Sequence, residues 1–339
     1  MGWLFHPRLV NGPFDDPGLF IPFQYEKRAL LFDLGDIYSL SARDILKITH
    51  VFVTHTHMDH FVGFDRLLRL FLGREKSLHL YGPDGFLKNV EGKLDAYSWN
   101  LTSAYNNQFA LLVTEVHSDK LIKKRYLCGN RFQPEGSAAA EPFSGVLLKE
   151  PALSVSTVIL DHSIPCLGFS VKERFHVNIK KDSVEANGLD IGPWLGKFKQ
   201  ALFNRNDPDS LFEVHTSGKK EEKEGQNRFF TLGDLANRIA KITPGQKVAY
   251  ITDVVYSRSN AKKIIEFAKD ANYLFIETAF LDKDRDIAKA KFHLTARQAG
   301  IIGNKARVKN ITPFHFSPRY SNKEQLLYNE LKEAFENSL

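Results

Sequence analysis

The sequence predicts a layered α/β sandwich in which helices cover strands that are buried on both faces. Short apolar runs alternate along the chain with longer amphipathic stretches. Most of these runs are nearly continuous in apolar residues, which is typical of strands buried on two sides. The predicted strands are residues 29–35, 50–55, 78–82, 110–116, 156–162, 247–253, 273–278 and 310–316.

Helix candidates lie between the predicted strands. Phe61, Phe64, Leu67, Leu68 and Phe71 recur at helical spacing and form one apolar face. The stretches 259–271 and 322–338 show the same periodicity. Helices that flank two-sided buried strands imply alternating helix and sheet layers.

Two stretches depart from this plan. Residues 129–145 are rich in Gly, Pro, Ala and Ser and predict a surface loop. Residues 175–245 are too long for a structureless loop inside a compact core, so we expect an inserted arm within a single domain that spans 1–339. Trp194, Leu195, Phe198 and Leu202 at helical spacing favour a partly folded arm over a poorly ordered linker.

Composition excludes several classes of protein. The 339 residues are 43% hydrophobic and 25% charged, which excludes a disordered, collagenous or coiled-coil chain. No apolar run approaches the roughly 18 residues needed to cross a bilayer. Two cysteines, Cys128 and Cys166, fit a reducing cytoplasm, so a cytoplasmic protein without a membrane partner is expected. The net charge of +6 is compatible with a polyanionic partner.

The densest chemical signal is the segment His55-Thr56-His57-Met58-Asp59-His60, which follows the apolar run 51–53. Imidazole suits borderline metals such as zinc, and a carboxylate adds a hard oxygen. Residues two apart on an extended segment point the same way, so His55 and His57 can reach one ion. Asp59 and His60 then turn towards a second ion.

Four further apolar runs stop on a polar residue at their carboxyl ends, at His162, Asp253, Glu277 and His315. Sites in α/β sheets assemble in the crevice outside these strand ends. Asp253 can bridge, because one carboxylate offers an oxygen to each of two ions. Two metals about 3.5–4 Å apart would hold a hydroxide between them.

These motifs resemble the metallo-β-lactamase fold and, more narrowly, its ribonuclease Z branch. The segment HTHMDH matches the HxHxDH signature of the superfamily. The downstream matches are DHSIPCLGF (161–169), ITD (251–253), ETAF (277–280), FHLTARQAG (292–300) and PFHFSPRY (313–320). The resemblance covers the chain from about residue 29 to 320. It implies an αβ/βα four-layer sandwich with an inserted arm.

The resemblance also implies residue roles and a reaction. One zinc ion would be held by His55, His57, His162 and Asp253, and the other by Asp59, His60, Asp253 and His315. The bridging hydroxide would attack the phosphodiester, Asp59 would orient it and take its proton, and His293 would assist the leaving oxygen with Glu277 behind it. The substrate implied is precursor tRNA, which a homodimer would cut at the 3′ side, and Gly192-Pro193 in the arm is the candidate tRNA contact.

Several features leave alternatives open. The N-terminal Gly-Thr-Gly loop of the family is not recognisable, Met58 stands where Gly is usual, and Val254-Val255 follows Asp253. These departures bear on the substrate, on the cleavage position and on the rejection of mature CCA ends. One rival is a dinuclear hydrolase of the same branch that acts on a small phosphodiester or a sulfate ester. Another is a metal-stabilised RNA-binding protein without turnover.

The sequence does not fix the identity of the metal, and the distribution of surface charge indicates no single partner. Similar His/Asp sets accept zinc, manganese or iron. Residues 287–309 contain six cations and no acids, whereas residues 172–228 balance 11 basic against 10 acidic residues. Trp3, Trp99 and Trp194 lack the spaced aromatic and basic pattern of a platform for single-stranded nucleic acid.

Overall fold

The computed structural model describes residues 4–24, 26–215 and 227–337. Residues 218–226 of the charged stretch in the predicted arm lie outside this part of the chain. The strands are Arg8–Leu9 (β1), Leu19–Pro22 (β2), Ala29–Phe32 (β3), Ile48–Phe52 (β4), Lys76–Pro83 (β5), Phe109–Val116 (β6), Lys120–Leu127 (β7), Ala139–Pro142 (β8), Val146–Lys149 (β9), Leu153–Asp161 (β10), Pro165–Glu173 (β11), Phe175–Ile179 (β12), Leu211–His215 (β13), Asn227–Thr231 (β14), Ala240–Pro244 (β15), Lys247–Ile251 (β16), Tyr273–Glu277 (β17) and Ile311–Phe314 (β18).

The α-helices are Ala42–Ile45 (α1), Met58–Phe61 (α2), Phe64–Phe71 (α3), Phe86–Asp95 (α4), Lys181–Ala186 (α5), Trp194–Phe203 (α6), Leu232–Ile239 (α7), Arg258–Ala268 (α8), Arg285–Ala290 (α9), Ala296–Lys305 (α10) and Glu324–Asn337 (α11). Within the described residues, no helix is both long and apolar enough to cross a membrane.

The described chain divides into two compact units. The described residues within 5–147, 155–171 and 247–339 form the larger unit, and those within 1–4, 148–154 and 172–246 form the smaller unit. In the smaller unit, β12 pairs antiparallel with β15 and β13 pairs antiparallel with β14. Its helices α5, α6 and α7 bury apolar faces, and α6 coincides with the helix that the spacing of Trp194 and Phe198 predicts.

The larger unit contains an eight-stranded sheet with the order β1-β2-β3-β4-β5-β6-β7-β8. Strands β3 to β6 run parallel, and antiparallel strands flank them at both edges. A second sheet has the order β18-β17-β16-β11-β10-β9, and β16, β17 and β18 run parallel. The carboxyl ends of the parallel strands therefore form an edge in each sheet.

Three apolar layers hold the larger unit together. One core packs α3 and α4 against the first sheet, and another packs α8, α10 and α11 against the second. Between the sheets, Phe169 lies 5.6 Å from both Phe32 and Phe52, ring centroid to centroid. Helices thus cover the outer face of each sheet while the inner faces pack together, so the predicted αβ/βα four-layer sandwich is confirmed.

The strand predictions are confirmed, with ends that shift by a few residues. The predicted helix around Phe64 is also present, but a break at Val62 and Gly63 separates α2 from α3. The predicted loop at 129–145 contains the short strand β8, which pairs with β7. Its residues are exposed, so the composition that indicates a surface segment does not exclude an edge strand.

Candidate metal centre

The HxHxDH segment begins just beyond the end of β4. His57 has extended backbone angles, φ −63° and ψ 156°, and directly precedes the short helix α2. His55 and His57 therefore lie on an extended segment, and His55 Nε2 is 2.8 Å from His57 Nδ1. Asp59 and His60 lie on α2, where the change of backbone direction turns them to a different side.

Two backbone hydrogen bonds join this segment to the loop after β3. The Leu34 amide donates to the His60 carbonyl at 2.9 Å, and the Gly63 amide donates to the Leu34 carbonyl at 2.8 Å. A Cβ on Gly63 would lie 2.2 Å from the carbonyl oxygen of Gly35. Only glycine fits there without a backbone shift, so Gly63 permits the contact that positions His60.

Asp253 occupies the centre of the side chains that the sequence singles out. Its Oδ2 lies 3.4 Å from His60 Nε2, 3.5 Å from His162 Nε2 and 3.6 Å from His55 Nε2. Its Oδ1 lies 3.1 Å from His315 Nδ1. A single buried carboxylate therefore faces four imidazoles.

Asp59 closes the other side of the cluster. Its Oδ2 lies 3.2 Å from His315 Nε2 and 3.5 Å from His60 Nε2. The Asp59 side chain is 42% exposed, whereas that of His60 is fully buried. Asp59 can therefore reach both the cluster and a molecule that approaches from solvent.

Three residues that follow strands have left-handed backbone angles. Asp33 after β3, Asp253 after β16 and His315 after β18 have φ of 60°, 46° and 60°. Such angles are uncommon for residues other than glycine and cost free energy. Here all three side chains point into the same cluster, so the strained backbone serves to aim them.

Asp33 is a member of the site that sequence reasoning missed. Its Oδ2 lies 3.0 Å from His60 Nδ1 and accepts the Tyr250 hydroxyl at 2.9 Å. Its Oδ1 accepts the Thr54 amide at 2.7 Å. Asp33 follows the apolar run of β3, so the rule applied to the other strand ends could have found it. Its contacts fix which nitrogen of His60 faces Asp253.

The donor atoms of the His/Asp cluster suit divalent cations. Ligand atoms of His55, His57, His162 and Asp253 lie within 4.8 Å of one another, as do those of Asp59, His60 and His315. Two buried nitrogens in the cluster, His60 Nε2 and His315 Nδ1, have no hydrogen-bond partner within the described part of the chain. A buried nitrogen without a partner is costly unless something coordinates it.

The electrostatics of these side chains are consistent with metal ligation. Burial, with the neighbouring His60, lowers the pKa of His55 to about 2 and keeps that imidazole neutral, the form that binds a metal. His162 donates through Nδ1 to the Phe292 carbonyl at 2.8 Å, so its Nε2 is the nitrogen left to face Asp253. Cys166 is buried, and burial raises the pKa of its thiol well above the usual range.

A second pair lies beside the cluster. His293 Nδ1 is 2.8 Å from Glu277 Oε2, and Glu277 Oε1 accepts the Val254 amide at 2.7 Å. Burial alone would lower the pKa of His293, but the Glu277 carboxylate outweighs it and raises that pKa to about 9. The carboxylate therefore favours a protonated imidazole.

A cavity of about 260 Å³ opens onto both features. Asp59, His293 and His315 line it, together with Lys291 from the basic stretch and with Asp15 and Asp16 near the N-terminus. Lys291 can attract a phosphate, whereas the two N-terminal carboxylates would repel one. Gly192 and Pro193, the predicted tRNA contact, belong to the smaller unit and directly precede α6.

Comparisons with known proteins agree with this architecture. Residues 16–76 match the model of the metallo-beta-lactamase superfamily. The metallo-beta-lactamase fold protein YhfI from Bacillus subtilis aligns with a TM-score of 0.51 at 14% identity, over 98% of this chain and 94% of that one. The chain has the metallo-β-lactamase fold.

Curated relatives indicate the branch. Ribonuclease Z of Deinococcus radiodurans is 25% identical over 86% of this chain and 83% of its own length. Ribonuclease Z of Enterococcus faecalis is 27% identical over 95% of this chain and 88% of its own length. The predicted resemblance to ribonuclease Z is confirmed over most of the chain, as is the prediction of an enzyme. The superfamily match implies divalent-metal binding, and the His/Asp clusters among the described residues could hold such ions.

Proposed function

We propose that this protein is a zinc-dependent endoribonuclease that removes 3′ trailers from precursor tRNA. The observation that carries the proposal is the position of Asp253, whose two oxygens face four imidazoles from three separate parts of the chain. The similarity to relatives named ribonuclease Z and the HLT and HFSPRY segments support the choice of substrate.

Two cations would share Asp253. His55, His57 and His162 would complete one site, and Asp59, His60 and His315 the other. Bound divalent cations would supply a water molecule of lowered pKa and offset negative charge on the phosphate. The hydrogen bonds from Asp33 to His60 and from His162 to a carbonyl would hold the ring orientations, as outer-shell partners of metal ligands do.

The protein's own groups would handle the protons. Asp59 lines the cavity and would accept the proton of the attacking water. His293 is fixed through Nδ1 by Glu277, which leaves Nε2 to donate a proton to the leaving O3′ of the tRNA, so that the tRNA ends in a 3′-hydroxyl and the trailer keeps the phosphate. Lys291 would attract the scissile phosphate. Glu277 touches no substrate in this scheme and is a positioning residue.

Recognition of the tRNA body is assigned to the smaller unit, around Gly192 and Pro193. The resemblance to ribonuclease Z is the support for this assignment and for a homodimer. A cytoplasmic location is supported by the two free, buried cysteines. Each of these remains a prediction for experiment.

A second candidate is a hydrolase of the same branch that acts on a small phosphodiester or sulfate ester. Asp15 and Asp16 favour it, because two carboxylates at the rim of the cavity would repel the polyanionic flanks of an RNA. The N-terminal segment that carries them also differs from the loop usual in ribonuclease Z.

One pair of assays tests these functions. Purified, metal-replete protein is incubated with precursor tRNA bearing a 3′ trailer and, in parallel, with bis(p-nitrophenyl) phosphate. Cleavage of both supports the endoribonuclease, and turnover of the small ester alone supports the second candidate. Tight RNA binding without hydrolysis of either substrate would instead indicate an RNA-binding protein without turnover.

A further inference from the structure

A second cavity, of about 440 Å³, lies on the surface of α3 and shares no lining residue with the metal centre. Arg66 and Arg69 come from α3, Tyr38 from the loop after β3, and Tyr97 and Trp99 from the segment after α4. These residues are scattered in sequence, so only the fold brings three aromatic rings and two guanidinium groups together.

The aromatic side chains offer faces for stacking. The Arg66 guanidinium lies over the Tyr38 ring, 3.9 Å from its centroid, and Tyr38 is still 71% exposed. One face of Tyr38 is therefore covered while the ring remains accessible to a ligand. Tyr97 is 44% exposed and its ring lies 5.8 Å from that of Trp99.

Contacts within the protein hold Trp99 and the turn that carries Tyr38. Trp99 donates through Nε1 to the Leu94 carbonyl at 2.8 Å, and its ring packs 4.7 Å from the Phe132 ring. The Tyr38 amide donates to Asp36 Oδ1 at 2.7 Å, which holds the turn that carries the ring. A ligand would therefore meet aromatic rings that are largely in place, which lowers the entropic cost of binding.

The cavity also has charge and an unused donor. Arg66, Arg69 and one carboxylate, Asp65, are among the described residues that line the cavity, and Asp65 Oδ2 pairs with Lys93 at 3.0 Å. Arg66 Nε is buried and has no hydrogen-bond partner among the described residues. Flat aromatic faces beside guanidinium groups suit a nucleobase attached to a phosphate, because bases stack on such rings and phosphates pair with arginine.

We propose that this cavity binds a single-stranded nucleotide of the substrate RNA, with the base stacked on Tyr38 and Trp99 and the phosphate on Arg69. The assignment to RNA rests on the proposed function. The cavity volume, within the roughly 300–1,000 Å³ usual for small-ligand sites, suits one nucleotide. The pocket holds substrate at a distance from the chemistry, so it contributes to affinity and not to the hydrolytic step.

Trp99 provides the binding test, because its fluorescence should be quenched when a base stacks on it. The full-length protein is titrated with hexaadenylate RNA and, separately, with 5′-AMP. We expect quenching by the RNA, an affinity about tenfold lower in Tyr38→Ala, the scale of one lost base–aromatic contact, and a weaker affinity also in Arg69→Gln, which loses the pairing with the phosphate. Tyr105→Ala and Arg43→Gln, exposed positions outside the cavity, are the matched controls, and Trp99→Phe must remove the signal.

Kinetics give the second readout. Tyr38→Ala should raise KM for precursor tRNA about tenfold at unchanged kcat and leave bis(p-nitrophenyl) phosphate turnover unaffected. Unchanged RNA affinity in both cavity variants would overturn the proposal, and equal affinity for 5′-AMP and hexaadenylate would overturn the assignment to RNA. If precursor tRNA is not cleaved but RNA binding still depends on Tyr38, the proposed function fails and this site stands.

Discussion

Glu277 and His293 are joined by a hydrogen bond of 2.8 Å, and the other Glu277 oxygen is held by the Val254 amide, directly after Asp253 in the chain. Glu277 is fully buried at the end of β17, whereas the His293 side chain is 18% exposed and lines the cavity. The buried carboxylate thus links the backbone beside the His/Asp cluster to the imidazole that lines the cavity.

Replacing Glu277 by glutamine should slow precursor tRNA cleavage by about 10- to 100-fold, less than the roughly 10²- to 10⁴-fold that general acid–base catalysis contributes as a whole, because the His293 imidazole remains. Glutamine keeps the size and the acceptor for the Val254 amide but removes the charge that favours the imidazolium. Single-turnover rates and bound metal are the measurements, and the metal content should stay unchanged. Glu266→Gln on the exposed face of α8 is the control. A normal rate in Glu277→Gln would exclude the positioning role.

His57→Ala and His293→Ala should separate metal binding from proton transfer. His57→Ala removes a ligand, so we expect loss of bound metal and of all hydrolysis. His293→Ala should retain metal and slow RNA cleavage by about 10²- to 10⁴-fold. Atomic absorption and cleavage rates are measured together, with the exposed His6→Ala in the larger unit as control. Full metal content in an inactive His57→Ala protein would contradict the assignment of His57.

Asp33→Asn should weaken metal affinity by about 10- to 100-fold, the usual effect of removing a partner of a metal-ligating histidine. In the wild type, His60 Nδ1 and the Tyr250 hydroxyl both contact the negatively charged Asp33 Oδ2. The neutral side-chain amide of asparagine cannot supply that charge. Competition with a chromophoric chelator measures the affinity. Tyr250→Phe, which removes one contact and keeps the carboxylate, should have a smaller effect, and the reverse order would argue against this role of Asp33.

Removing residues 180–239 should abolish precursor tRNA cleavage and spare turnover of bis(p-nitrophenyl) phosphate. The excision is feasible because Ile179 and Ala240 are directly paired between β12 and β15, so a short Gly-Ser turn can join them. The chelator-sensitive turnover of the small ester shows that the shortened protein keeps its metal centre. Precursor tRNA cleavage at the normal rate would mean that this segment does not recognise substrate.

Gly63→Val should destabilise the protein and lower its metal content. The new side chain would meet the Gly35 carbonyl, where a Cβ already lies at 2.2 Å, and would displace the backbone that positions His60. Gly92→Ala is the contrast, because nothing lies within 4 Å of a Cβ there and alanine in α4 should stabilise by about 1 kcal/mol. Thermal melting with and without a chelator measures both, and equal stability of the two variants would refute the contact argument.

The sequence was sufficient for the strands, the main helices and the four-layer sandwich. Their signal is local, because a run such as 51–53 is apolar on both faces and a helix such as α6 repeats its apolar residues at a fixed spacing. The same local rule identified the polar residues at strand ends that the structure brings together around Asp253. Asp33 also follows a buried strand, but it was not among the residues that the sequence analysis selected.

Only the tertiary structure shows the features that depend on distances between residues far apart in the sequence. No local pattern shows that Tyr38, Arg66 and Trp99 share a cavity, or that Asp15 and Asp16 reach the rim of the one beside His293. The left-handed angles of Asp253 and His315 are equally non-local, since the packed sheets hold them there against their intrinsic preference. Hydrophobic periodicity is therefore encoded within each segment of the sequence. The direction of a side chain and the set of residues that line a cavity are determined only when the segments pack together.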